Sequence, residues 1–153
     1  MTNDSPDEPT GRRWRSTPIE GDALPDAPGA YVLEFELDGS TAFRAGAIGR
    51  VELRAGVVRY YGSAHGPGGL RARVARHLRD DGGRTHWHVD YLTREVDIER
   101  VALATGAEEC ELCQMDLRRT GDARIPVEGF GASDCSTCAA HLVWFPRGEA
   151  PRS

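Results

Sequence analysis

Two hydrophobic periods divide the chain. From residue 31 to 37, YVLEFEL sets Tyr31, Leu33, Phe35 and Leu37 against Val32, Glu34 and Glu36, the two-residue period of a half-buried strand. Asp38-Gly39-Ser40 is a turn sequence. Two more short strands are expected around residues 47–53 and 57–62, separated at Ala55-Gly56. After Gly68-Gly69 the period lengthens: Leu70, Val74 and Leu78 recur every fourth residue, with Arg71, Arg76 and Arg79 off that stripe. This predicts an amphipathic helix, ended at Gly82-Gly83. DIERVALAT (97–105) reads as a strand, and AEECELCQMDLRR (107–119) as a helix with glutamates in its first turn and arginines in its last, as the macrodipole favours. HWHVDYLT (86–93) fits either period, and Thr85 as an N-cap tips it toward helix. The expected class is α+β: a small mixed, largely antiparallel sheet flanked by helices.

The ends lack such a pattern. Residues 1–27 are rich in Pro, Asp, Thr and Gly and are expected to form a flexible tail, leaving a domain over 28–146 and a flexible C-terminus over 147–153. A chain of 153 residues is long enough for one domain with a real core. It contains no run of about 18 apolar residues, and its N-terminus lacks the apolar centre of a signal peptide. A cytoplasmic protein with no membrane partner is the expectation.

Charge sharpens the picture. The chain is net -5, and all 19 basic residues are arginine, a planar donor suited to bidentate anion binding. Arg59, Arg71, Arg73, Arg76, Arg79 and Arg84 crowd into residues 59–88 against Asp80 and Asp81, a segment of net +4. Positive charge focused in this way favours a polyanionic partner held at one place. Gly66-Pro67-Gly68-Gly69 lacks the Lys-Ser/Thr of a phosphate loop. It reads as a turn that starts the arginine helix, whose N-terminal amides would then face a phosphate. Cys110 and Cys113 form one CxxC and Cys135 and Cys138 another, with His141 three residues on. Inside a cell such pairs suggest structural zinc. Two tetrahedral sets are open, Cys110, Cys113, Cys135 and Cys138 or Cys110, Cys135, Cys138 and His141; packing of cysteines as small hydrophobes is the alternative. His86, His88 and Asp90 form another cluster, for which a hydrogen-bonded structural role is favoured over metal binding.

Gly29-Ala30-Tyr31, Tyr60-Tyr61-Gly62 and the helical trio Leu70, Arg73 and His77 together resemble the GIY-YIG nuclease superfamily. The segments IGRVELRAGVVRYYGSA, RHLR, HWHVDYL, Glu109-Cys110, GFGASDCSTC and HL are similar to a small branch of it with a lengthened hairpin, sometimes fused to archaeal endonuclease-III-type repair glycosylases. The resemblance spans residues 29–143. It implies a metal-dependent DNA endonuclease in repair or processing, with DNA as partner and association with a repair glycosylase or another repair enzyme.

Phosphodiester hydrolysis needs an attacking water, an acceptor for its proton and positive charge where the phosphate gathers negative charge. The resemblance gives Arg73 the last role, with His77 one helical turn on for proton transfer or orientation. Tyr31 and Tyr60 supply phenols, one of which would take the water's proton. A free phenol with a pKa near 10 is a poor base, and the arginine and a metal are what make that role tenable. Tyr61 is expected to pack at the edge of the core. The superfamily's divalent ion, Mg²⁺ or Mn²⁺, is held by a glutamate on a later helix. Glu109 is assigned here, the other alignment placing Gln114 there. Arg71, Arg76 and Arg84 would hold flanking phosphates and make binding salt-dependent. The zinc set that fits the resemblance is Cys110, Cys135, Cys138 and His141. The alternative function is a non-catalytic nucleic-acid-binding module of the same fold, and a third is a zinc-stabilised interaction domain.

Overall fold

The computed structural model describes residues 12–19, 23–79, 88–130, 140–148 and 150. Its elements are β1 (Arg13–Ser16), β2 (Gly29–Leu37), β3 (Thr41–Arg44), β4 (Arg50–Leu53), β5 (Gly56–Ala64), α1 (Gly69–Leu78), α2 (His88–Thr93), β6 (Arg100–Thr105), α3 (Glu109–Arg119) and β7 (Leu142–Phe145). Five strands form one sheet in the order β1-β6-β2-β5-β7, and β3 and β4 form a separate hairpin. Every pairing among them is antiparallel. The α+β class expected from the sequence is the one observed.

β2 holds the centre of the sheet, and its period decides what lies on each side. Tyr31, Leu33, Phe35 and Leu37 enter one core with Leu70 and Val74 of α1, Val89 and Leu92 of α2, and Phe43, Val51 and Leu53 of the hairpin. Ala30 and Val32 enter a second core with Tyr61 of β5 and Leu112, Cys113 and Met115 of α3. The strand is therefore covered on both faces rather than half-buried, as a central strand between two helical layers must be.

Glu34 is buried by the same arrangement, at 2% exposure, and the charge is compensated on the spot. Arg100 donates to its carboxylate at 2.7 and 3.1 Å, and Arg59 at 2.9 Å. Arg59 is itself wholly buried and continues to Asp116 of α3 at 3.0 Å. Arg12 grips Asp116 at 2.9 and 3.0 Å, and Tyr61 donates its hydroxyl to it at 2.5 Å. Trp14 lies beside three of these guanidiniums, its ring 4.3 Å from that of Arg100, 4.5 Å from Arg59 and 5.5 Å from Arg12. Burial alone would raise both carboxyls; the arginines, with Tyr61 at Asp116, outweigh it and hold Glu34 and Asp116 below the usual carboxylate range.

Several boundaries differ from the sequence reading. Residues 1–27 were expected to be tail, yet Arg13–Ser16 pair with Arg100–Leu103 of β6, and Leu24 is buried. What anchors this stretch is ion pairing at Arg12 and stacking of Trp14, which leave no hydrophobic period. β3 was missed because TAFR offers one buried apolar residue, Phe43. α1 stops at Leu78, where the Arg79 N–H closes the last turn on Ala75 O; Gly82-Gly83 lie outside the described residues. α2 is helical over His88–Thr93, as favoured. Tyr61, expected at the edge of the core, is at its centre.

Candidate active site

The two glycine-containing tripeptides meet across one pair of strands. Tyr31 of β2 stands opposite Gly62 of β5, and Leu33 opposite Tyr60. The hydroxyl end of the Tyr31 ring lies against Gly62, where even a methyl group would strike it. Gly62 therefore fixes where the Tyr31 hydroxyl points. Tyr31 and Tyr60 share one face of the sheet, their ring centres 6.4 Å apart.

α1 brings the next two side chains to that face. Its stripe of Leu70 and Val74 is buried against the sheet, which turns His77 inward as well. His77 Nε2 lies 2.7 Å from the Tyr31 hydroxyl, and its ring centre is 6.3 Å from that of Tyr60. Burial, with the Arg76 and Arg73 charges behind it and Asp90 opposing, pushes the His77 pKa down to about 4. The ring is thus neutral near pH 7. Asp90 Oδ1 of α2, 3.8 Å from Nδ1, favours the tautomer with its proton on Nδ1, which leaves Nε2 to accept from the Tyr31 hydroxyl.

Arg73 is half-buried on the same helix and donates to Ser63 O at 2.9 Å. Burial and the nearby Tyr60 raise the Tyr31 pKa well above the usual phenol range, while Arg73 works against the rise by its charge and a hydrogen bond. Burial raises Tyr60 too; Arg73 opposes it, and the charges of Asp90 and Glu109 add to it. Arg73 thus acts on both phenols, and Glu109 on Tyr60.

Glu109 opens α3, half-buried, directly after Glu108. Beside them is His65, just beyond the end of β5. One ligand atom from each of His65, Glu108 and Glu109 lies within 4.8 Å of the others, and His65 Nε2 is 3.9 Å from Glu108 Oε1. Carboxylate oxygens with one imidazole suit a hard divalent ion such as Mg²⁺ or Mn²⁺. Gln114 is half-buried farther along α3.

Cys110, next on α3, has its Sγ 3.4 Å from His141 Nε2. A tetrahedral zinc ion sets a sulfur and a nitrogen ligand about 3.6 Å apart. Cys113 instead points into the second core, with Sγ 3.5 Å from Ala140 O. Cys110 and His141, the two described members of the set without Cys113, stand close to that spacing. Cys135, Cys138, His86 and Arg84 lie outside the described residues. The remaining histidine of the other cluster, His88, stacks at 5.4 Å on Phe130, and Asp90 is gripped by Arg76 at 3.1 and 3.1 Å.

The model for the family described as "Domain of unknown function DUF123" matches residues 30–153. The chain belongs to the DUF123 family. No curated protein and no solved structure matches it. In this DUF123 chain, then, geometry carries the functional argument. No helix among the described residues is long and apolar enough to cross a membrane.

One expectation for phosphate binding fails on that geometry. The first-turn amides of α1 do not face outward: Leu70 N–H donates to Ala27 O, Arg71 N–H to Pro25 O, and Ala72 N–H to Gly68 O. The segment before β2 folds over this helix end and satisfies its donors. Arg71 donates from Nε to Leu24 O at 2.8 Å, and Arg76 is held by Asp90. Each guanidinium thus has a partner within the fold, Arg71 remaining exposed. Sequence reasoning also missed His65, Glu108 and Asp90 as members of the site. His65 gave no signal beyond its place just after Tyr60-Tyr61-Gly62, and Asp90 was assigned to a different cluster.

Proposed function

We propose that this chain is a metal-dependent DNA endonuclease of the GIY-YIG type, hydrolysing phosphodiester bonds in repair or processing. The observation that supports it best is the convergence of Tyr31, Tyr60, Arg73 and His77, from two strands and one helix, with Glu109 acting on Tyr60 from a second helix. The Tyr31 hydroxyl within hydrogen-bond reach of His77 Nε2, at 2.7 Å, gives a path for a proton, and the arginine suits anion stabilisation.

The residues divide the work. The Tyr31 oxygen takes a proton from the attacking water while its own proton passes to His77 Nε2. Asp90 steadies the imidazole from the Nδ1 side. Arg73, already directed at this corner, neutralises charge gathering on the phosphate oxygens, and Tyr60 bounds the pocket and orients the water. Glu109, with His65 and Glu108 beside it, would hold Mg²⁺ or Mn²⁺, which supplies Lewis-acid stabilisation of the phosphate and leaving oxygen. Cys110 and His141, with Cys135 and Cys138, would hold a structural zinc ion. DNA is the partner, and a repair glycosylase or related enzyme would supply or share the lesion.

The test is cleavage of supercoiled plasmid and of labelled flap, fork and nicked duplexes, with Mg²⁺ or Mn²⁺ and with EDTA, beside Arg73→Ala and Glu109→Gln. Metal-dependent nicking that falls about 10²–10³-fold in Arg73→Ala is expected, and Glu109→Gln should lose it. A second reading, a DNA-binding module without catalysis, draws on the position of Glu108 and Glu109 at a helix N-terminus, where carboxylates are favoured without any metal. Binding without cutting under every metal would favour that module.

A further inference from the structure

Apart from the arginines of α1, outward-facing positive charge is found on the β3–β4 hairpin. The hairpin buries Phe43, Ala45, Val51 and Leu53. Its other face exposes Ala42, Arg44, Arg50, Glu52 and Arg54. The register sets Arg44 directly opposite Arg50, and like charges facing each other across strands are destabilising on their own. Arg50 turns to Glu52 at 2.8 Å, both side chains more than half exposed. That pair is solvent-screened and worth little. Arg54 lies over the Trp144 ring at 5.7 Å, and Trp144 Nε1 donates to Arg54 O at 3.1 Å. A guanidinium stacked on an indole is oriented before any ligand arrives.

The hairpin packs on the same core as the candidate site. Trp144 packs against the same core as Tyr31 and Tyr60. The turn at the hairpin's tip, Gly46–Ile48, rests on α2, with Gly46 against the Tyr91 hydroxyl. Tyr91 adjoins Asp90, which grips Arg76 and faces His77. Arg44 and Arg50 flank that turn. In a chain of net -5, two opposed arginines with a third held by a tryptophan form a surface complementary to a phosphate backbone. An anion between Arg44 and Arg50 would turn their repulsion into shared attraction.

We propose that the outer face of the β3–β4 hairpin, through Arg44, Arg50 and Arg54, binds the phosphate backbone of DNA whose reacting phosphodiester lies at Tyr31, Tyr60 and Arg73. The inference rests on the nuclease reading for its partner. It adds a binding surface that the catalytic residues do not supply.

The experiment is fluorescence anisotropy of labelled duplex and forked DNA with the full chain in EDTA, over a series of NaCl concentrations. Wild type is compared with Arg44→Glu/Arg50→Glu and Arg44→Ala, with melting temperatures of each. The double reversal is expected to weaken binding at least about tenfold at low salt and to flatten the salt slope by about two, one for each phosphate no longer neutralised. If the double reversal also lowers the melting temperature, Arg44→Ala decides, because it only removes one charge from a repelling pair: a slope reduced by about one supports the hairpin surface. Unchanged affinity and slope in these hairpin variants, with wild type binding, would overturn it. Binding that depends on the hairpin without any cleavage in Mg²⁺ or Mn²⁺ sinks the catalytic reading and leaves the hairpin surface standing. A wild type that binds no DNA at low salt overturns both.

Discussion

His77 concentrates the chemistry of the candidate site in one side chain, and its environment makes its behaviour testable. In the unfolded chain it titrates near 6.5, and in the fold near 4, because burial and the arginines around it disfavour the charged ring. Between those values the unfolded state binds the extra proton. Stability is therefore full above about pH 6.5 and falls as pH drops toward 4, by a loss on the order of 3 kcal/mol. Urea midpoints across that window should show the loss in wild type, and His77→Gln should remove that component. Tyr31→Phe, which deletes only the hydroxyl facing His77, should leave the melting temperature close to wild type and reduce cleavage about 10²–10⁴-fold. Gly62→Ala should act on the same hydroxyl from across the sheet by displacing the Tyr31 ring, with a comparable loss in single-turnover cleavage. Tyr31, Gly62, Arg73 and His77 were all legible in the sequence, since each belongs to a local motif. Asp90 was not, because its partners Arg76 and His77 lie on another helix and only packing brings them within reach.

Elements differ in how much of them a local pattern specifies. β2, α1 and α3 carry strong periods and were legible to within a few residues. β1 carries none, and what holds it is the network of Arg12, Arg59, Arg100, Glu34, Asp116 and Trp14, drawn from four strands and a helix besides Arg12 itself. A buried charge stripped of its partner is costly. Asp116→Ala leaves Arg12 and Arg59 without their shared carboxylate and should destabilise by about 3–5 kcal/mol in urea denaturation. A double-mutant cycle with Arg12→Ala should show strong coupling, since the two side chains meet directly. Arg59 illustrates the same point from the sequence side: counted among the arginines of a basic segment, it is interior and adds nothing to the surface field. The amides opening α1 are another case, occupied by carbonyls of a preceding segment that carries no hydrophobic pattern.

The molecule as a whole sets the proposed catalytic and zinc-binding residues on one short stretch of α3, where Glu109 bears on Tyr60 and the adjacent Cys110 meets His141. Zinc released by denaturing the purified protein and measured with a colorimetric chelator should approach one ion per chain. Cys110→Ser and His141→Ala should each lose it, and Cys113→Ala should keep it while lowering stability through the small gap it leaves in the core. The sequence by itself determined the α+β class, the central strand, the arginine helix, the Tyr31–Tyr60–Arg73–His77 constellation and the pairing of cysteines in CxxC steps, because periodicity and short motifs are properties of neighbouring residues. The tertiary structure alone decided which arginines are interior and which exposed, that β1 completes the sheet, and that Cys110 stands beside His141 while Cys113 enters the core. Those outcomes depend on burial and on charges meeting across long separations in the chain. An arginine reads the same in sequence whether it ends beside a buried carboxylate or in water.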